Sequence, residues 1–249
     1  MDLVGHFLTP NGTEVYYGRQ LEVLLEKTYF HWITKRALNE LAQDGTIKTS
    51  IERVRQFDVH FYWPRRHRYP RRQIGEIKSL IKEFSDPQFT HALGEVGETL
   101  FDGGMARIGF RIVASKVRSF NSKEWVQTNH DLDRVVTRDG HFYGVEIKNT
   151  LGYIDRDELD IKIAMNEHFG TTPFFVARNW PKTYMFRLYS KGGFGLMLDN
   201  QHYPQLTDDL ARRVRQRLQL PVLRIRELTD TTMQRFERWH MNRIAPTPM

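Results

Sequence analysis

The stretch from His130 to Thr150, HDLDRVVTRDGHFYGVEIKNT, leaves this chain little choice of local structure. Two runs of alternating apolar residues flank Asp139-Gly140, and that dipeptide in that setting is the strongest short-range signal for a β-hairpin. A two-residue loop pairs Arg138 with His141. Counting outward, it sets Asp133 opposite Glu146 and Asp131 opposite Lys148. Side chains alternate between the faces of a strand. One face is therefore expected to carry Asp131, Asp133, Glu146 and Lys148. The other is expected to carry Leu132, Val136, Tyr143, Val145 and Ile147, with Arg134 as the charged intruder.

Opposed residues on paired strands have Cβ atoms roughly 4.5–5.5 Å apart, and like charges there repel. A plainly solvated face has no reason to set Asp133 against Glu146. A hard divalent cation such as Mg²⁺ removes the repulsion, because it takes carboxylate oxygens and often bridges to a phosphate. Lys148, two residues after Glu146, adds an ammonium to the same surface.

Asp133, a gap, then Glu146-Ile147-Lys148 on an apolar strand resembles the core of the PD-(D/E)xK nuclease superfamily. Here Leu132 stands where many members have proline. The resemblance covers roughly residues 94–198 and rests on the order helix, strand, hairpin, helix, strand. It implies a mixed sheet in which Asp133 and Glu146 hold Mg²⁺, with Mn²⁺ as a substitute, while Lys148 positions or activates water. Many members add a Glu on the preceding helix; Glu98 is the preferred candidate and Glu95, one turn back, the other. Asp155 to His168 reads as a helix with Leu159, Ile163, Ile154 and Phe169 inward, followed by a buried strand at 173–177. Lys162 on that helix is expected to be solvated. His130 is not expected to take part.

The 249 residues suffice for two modest domains, and the formal charge of +7 suits a polyanionic partner. There is no cysteine, which excludes disulfides and thiolate metal sites and suits a reducing cytoplasm. No apolar run is long enough to span a bilayer, and Met1 to His6 gives no sign of a signal peptide. HExxH, GxSxG and a strand-helix GxGxxG are all missing.

Helical patterns near Arg19–Lys27 and Thr34–Asp44, then extended stretches near 46–51 and 59–63, resemble a winged helix. That resemblance implies DNA contact through Thr34, Lys35, Arg36 and Asn39 of the second helix and through Lys48. The cluster Pro64-Arg65-Arg66-His67-Arg68-Tyr69-Pro70-Arg71-Arg72 holds five arginines and no acid, and its prolines argue for an extended wing or its continuation. Arg212, Arg213, Arg215 and Arg217 crowd a later helix, either as DNA contacts or as partners of Asp208 and Asp209. Lys191 to Gly195 reads as a hairpin turn between strands.

The expectation is an α/β protein. A winged-helix-like DNA-binding domain over 1–86 precedes a restriction-endonuclease-like mixed sheet flanked by helices over 87–249, with the linker at Ser85-Asp86-Pro87 and a tail from Ala245. The expected activity is Mg²⁺-dependent DNA cleavage by a restriction-type enzyme, acting as a homodimer. A structure-specific repair or recombination nuclease, or an inactive DNA-binding regulator, are the alternatives.

Overall fold

The computed structural model describes residues 7–9 and 12–244; the N-terminal hexapeptide and the tail from Ala245 lie outside the described residues. The protein is a mixed α/β chain in two compact units. One comprises residues 1–90 and 205–222, and the other comprises 91–204 and 223–249.

In the first unit, β1 (Tyr16–Tyr17) runs into helix α1 (Gly18–Leu25) and then α2 (His31–Gln43). Strands β2 (Ile47–Val54) and β3 (Phe57–Pro64) follow as a hairpin. The antiparallel sheet has the order β1-β3-β2. Leu21, Leu25, Leu38, Ile47 and Tyr62 form the core beneath the helices. Thr34 is part of this packed side, at 1% exposure. It does not face outward as expected, because helical periodicity puts it one turn before the core residue Leu38.

The hairpin turns at Arg55-Gln56, where Arg55 adopts φ 52°. The arginine cluster is therefore not a wing tip; it follows β3. Its second half is helical, since α3 (Pro70–Phe84) starts with Pro70 in the first turn. Proline is tolerated there because that N–H has no helical partner in any case.

The second unit is introduced by α4 (Pro87–Arg107), whose first N–H groups are met by the Asp86 carboxylate. Then come β4 (Arg111–Val117), a short ribbon of β5 (Ser119–Phe120) and β6 (Lys123–Glu124), β7 (Leu132–Arg138) and β8 (His141–Lys148). Helix α5 (Arg156–Phe169) has Asp155 as its N-cap and Gly170 at its left-handed C-terminus. It crosses to β9 (Thr172–Ala177), and α6 (Lys182–Ser190) leads to β10 (Phe194–Met197). The five-stranded sheet has the order β10-β9-β8-β7-β4, antiparallel on the β4 side and parallel on the β10 side. The glycine-rich segment 191–195 thus joins a helix to a parallel strand and is not a hairpin. Residues β11 (Gln201–His202), α7 (Asp208–Leu218), β12 (Val222–Leu223) and α8 (Asp230–Ile244) complete the chain.

Helix α7, expected with the second domain, belongs to the first unit. Its buried face of Ala211, Val214 and Leu218 leaves a charged face tied to that unit: Arg213 to Glu83 at 2.5 Å and Arg217 to Glu14 at 3.2 Å. Of the four arginines, Arg212 and Arg213 take the paired alternative, both binding Asp209.

Both faces of the five-stranded sheet are covered. Helices α4 and α8 supply Phe101, Met105, Met233 and Phe236 to the cluster around Val136, Tyr143 and Val145. Helix α5 supplies Met165 and Phe169 to a cluster with Val135 and Leu132. Leu132 therefore packs away from Val136, against the simple alternation. Gly144 makes the close α5 approach possible. A Cβ there would lie 2.2 Å from Asn166 Oδ1 and 2.8 Å from Thr171 Oγ1.

Candidate active site

The hairpin turn is the one its residues require. Asp139 and Gly140 both adopt positive φ, 51° and 75°, as a two-residue type I′ loop demands. Arg138 pairs with His141 and Arg134 with Val145. One further step outward sets Asp133 beside Glu146, and Asp133 Oδ2 accepts the Ile147 N–H at 2.6 Å. The carboxylate pair expected from spacing is in place.

Glu146 sits on the central strand of the sheet at 2% exposure. Such a carboxylate is tolerated only when paired. Lys148 Nζ lies 2.9 Å from Glu146 Oε1 and Lys162 Nζ 2.5 Å from Oε2. Lys162 also donates to the Asp131 carbonyl oxygen. Expected in solvent from the sequence, Lys162 is only 3% exposed. Its position three residues after Leu159 and one before Ile163, both buried, was the available signal: a lysine inside an inward stripe needs an acid to meet it.

Lys148 bridges Glu146 and Glu158, the latter at 2.7 Å. Burial opposes its charge, but Glu146 and Glu158 outweigh that and hold its pKa above the ordinary lysine value. Asp131, expected opposite Lys148, gives its backbone carbonyl oxygen to Lys162. Glu158 takes the role instead, because the first turn of α5 carries it to the end of β8.

Asp133 is the least compensated group. Burial and then the Glu146 charge raise its carboxyl to about 7; the Ile147 N–H and the two lysines offset this only in part. Three carboxylates, Asp133, Glu146 and Glu158, face two ammonium ions. With all ionised, one negative charge is left over.

Glu98 behaves differently. It pairs with Arg134 at 2.7 Å, and Asp102 holds the same guanidinium at 3.1 Å. Arg134 also donates to the Asp133 carbonyl at 2.8 Å. The intruder in the core face is thus neutralised by two acids of α4. Glu95 pairs with His91 near the surface. Among the described residues no three His, Asp or Glu side chains gather as a metal-holding group, so Glu98 does not join Asp133 and Glu146 in this arrangement. His130 hydrogen-bonds Thr128 Oγ1 through its ring Nδ1.

No family model, curated protein or solved structure matches this chain.

Of the expected DNA contacts, Lys35, Arg36, Asn39 and Lys48 are exposed, as are Arg65, Arg66, Arg68, Arg71 and Arg72. Arg36 pairs with Glu40 and Arg72 with Glu76, each across one helical turn. Among the described residues no helix is long and apolar enough to cross a membrane.

Proposed function

We propose that the protein is a Mg²⁺-dependent deoxyribonuclease of the PD-(D/E)xK kind, a restriction-type endonuclease in which the N-terminal unit contacts DNA in the manner of a winged helix. The observation that carries this reading is the surplus negative charge at Asp133 and Glu146 beside Lys148. A divalent cation would turn that surplus into one positive charge, which matches a phosphodiester anion. Asp133 supplies the better ligand oxygens, because one is free of the Ile147 N–H and burial, then the Glu146 charge, raises its pKa. When bound, the metal would supply a water of lowered pKa and charge stabilisation for the phosphoryl oxygens.

The chain's own residues divide the remaining work. Lys162, buried, pairs with Glu146 and orients its carboxylate. Lys148, more accessible and held as an ammonium, donates to the water or to a phosphate oxygen; a lysine with a raised pKa is not suited to act as the base. Glu98 serves as the partner of Arg134 and would reach the metal only by giving up that pair.

Two helices followed by the β2-β3 hairpin, with β1 paired to β3, support the winged-helix reading, and the exposed cations of α2 and of the 65–72 segment fit phosphate contact. The test is incubation of supercoiled, linear and branched DNA with the protein in Mg²⁺, Mn²⁺ or EDTA, beside the Lys148→Ala variant. Metal-dependent cutting that the variant lacks is expected, with discrete products from supercoiled plasmid. Cutting retained in Asp133→Ala, Glu146→Ala and Lys148→Ala alike would remove the assignment.

A further inference from the structure

Thr49, Ile51, His60 and Tyr62 form a square on one face of the N-terminal hairpin. Thr49 pairs with Tyr62 and Ile51 with His60, and alternate residues of a strand share a face. Against this square stands α2, which presents Asn39 and Gln43 one turn apart. Together they line an open cavity of about 280 Å³.

The inner wall is apolar and aromatic. The His60 and Tyr62 rings lie 6.4 Å apart with an interplanar angle of 19°, and Ile51 beside them is 60% exposed. The rim is polar without being charged. It offers the amides of Asn39 and Gln43 and the Thr49 hydroxyl, all exposed. The Asn39 amide oxygen accepts the Tyr62 phenol at 3.4 Å. Lys35, one turn before Asn39 on the same helical stripe, is exposed as well. Ile51 and His60 are not among the residues of the unit's hydrophobic core, so packing gives no reason for an aliphatic and an imidazole to stand open here.

We infer that this cavity takes one unpaired nucleobase of a DNA strand. The base ring lies over Ile51 and His60, its edge meets Asn39, Gln43 and Thr49, and the adjoining phosphate meets Lys35. A nucleobase has the two properties that the walls ask for: a flat π-face for stacking, and an edge of donors and acceptors that side-chain amides match in pairs. Its size, just under the roughly 300 Å³ at which small-molecule pockets begin, suits a single ring system. The inference rests on the DNA-binding part of the proposed function and deepens it, by making an unstacked base the feature that is read. The base can be one extruded from a duplex or one in a single strand; the chemistry of the contact is the same.

The experiment is fluorescence anisotropy with the full chain in EDTA, using short labelled DNAs. These are a single strand, an intact duplex, a duplex with one unpaired base, and the last with that base replaced by an abasic sugar. The unpaired base should raise affinity about tenfold over the abasic partner, in line with the effect of one stacked base. Ile51→Ala, His60→Ala and Gln43→Ala should each remove most of that gain and leave abasic binding unchanged, and all three positions are exposed, so the variants should fold. Lys35→Ala should weaken every DNA alike. A gain shared by the single strand shows that any unpaired base is accepted, and a gain confined to the duplex shows extrusion; both support the cavity. Equal affinity for base and abasic DNA, or variants that weaken both equally, would overturn it while leaving the nuclease reading intact. A protein that binds none of these DNAs overturns both.

Discussion

Cations in the two units have different physical fates. In the N-terminal unit they stay at the surface: the Arg36–Glu40 pair leaves its side chains 72% and 43% exposed, and Arg72–Glu76 leaves 88% and 46%. In the other unit Lys162 and Glu146 meet with 4% and 2% of their side chains exposed. Exposed pairs stabilise by roughly 0–1 kcal/mol and exchange partners freely. A buried pair that loses one member leaves an uncompensated charge, at a penalty of about 3–5 kcal/mol. The first kind of cation can be lent to a phosphate. The second is committed to the fold, and any charge still missing beside it has to come from a ligand.

The sharpest way to break this contrast is Lys162→Met. It should destabilise the protein by about 3–5 kcal/mol in chemical denaturation, and adding Glu146→Gln to it should recover much of the loss. A Lys162→Met protein of unchanged stability would show that the buried pair is not formed. Gly144→Ala tests the neighbouring approach of α5. Its methyl would collide with Asn166 and Thr171, and overpacking of this kind destabilises by about 1–3 kcal/mol.

Asp133 supplies a pH test. Its folded pKa of about 7 exceeds the unfolded value, so the folded state binds the proton more tightly. Metal-free protein should then lose stability as pH rises from about 4 to 7, by on the order of 4 kcal/mol, and change little beyond. Asp133→Asn should flatten that slope in EDTA, and Mg²⁺ should flatten it in the parent protein. A slope that persists in Asp133→Asn would assign it to another group.

The smallest stability effects belong to the surface cations. Arg65→Ala and Arg68→Ala should each change stability by less than about 0.5 kcal/mol. Each should still lower the slope of log affinity for DNA against log salt by about one. A change in stability without a change in slope would make these arginines structural.

Much of the site was legible because a hairpin is a local object. Asp139-Gly140 determines the loop, the loop determines the register, and the register brings Asp133 to Glu146. The parallel crossover to β9 was legible for a similar reason, since Asp155 and Gly170 mark the two ends of α5. The two helices and the hairpin of the first unit followed from periodicity; β1 and the place of α7 did not. Illegible were the contacts that depend on which helix covers which face. Lys162 and Glu158 join the site only because α5 lies on that side of the sheet. Glu98 goes to Arg134 because α4 lies on the other. Helix α7 packs with the first unit through residues far from it in the chain, such as Glu83 and Glu14.

Sequence alone therefore determined strand register, turn type and the meeting of the two carboxylates, since these depend on residues close in the chain and on the two-residue period of a strand. Tertiary structure decided which charges are buried, which lysine is committed and which is accessible, and where a surplus negative charge remains. Burial is a property of the assembled layers, and electrostatic energies follow the dielectric that those layers create.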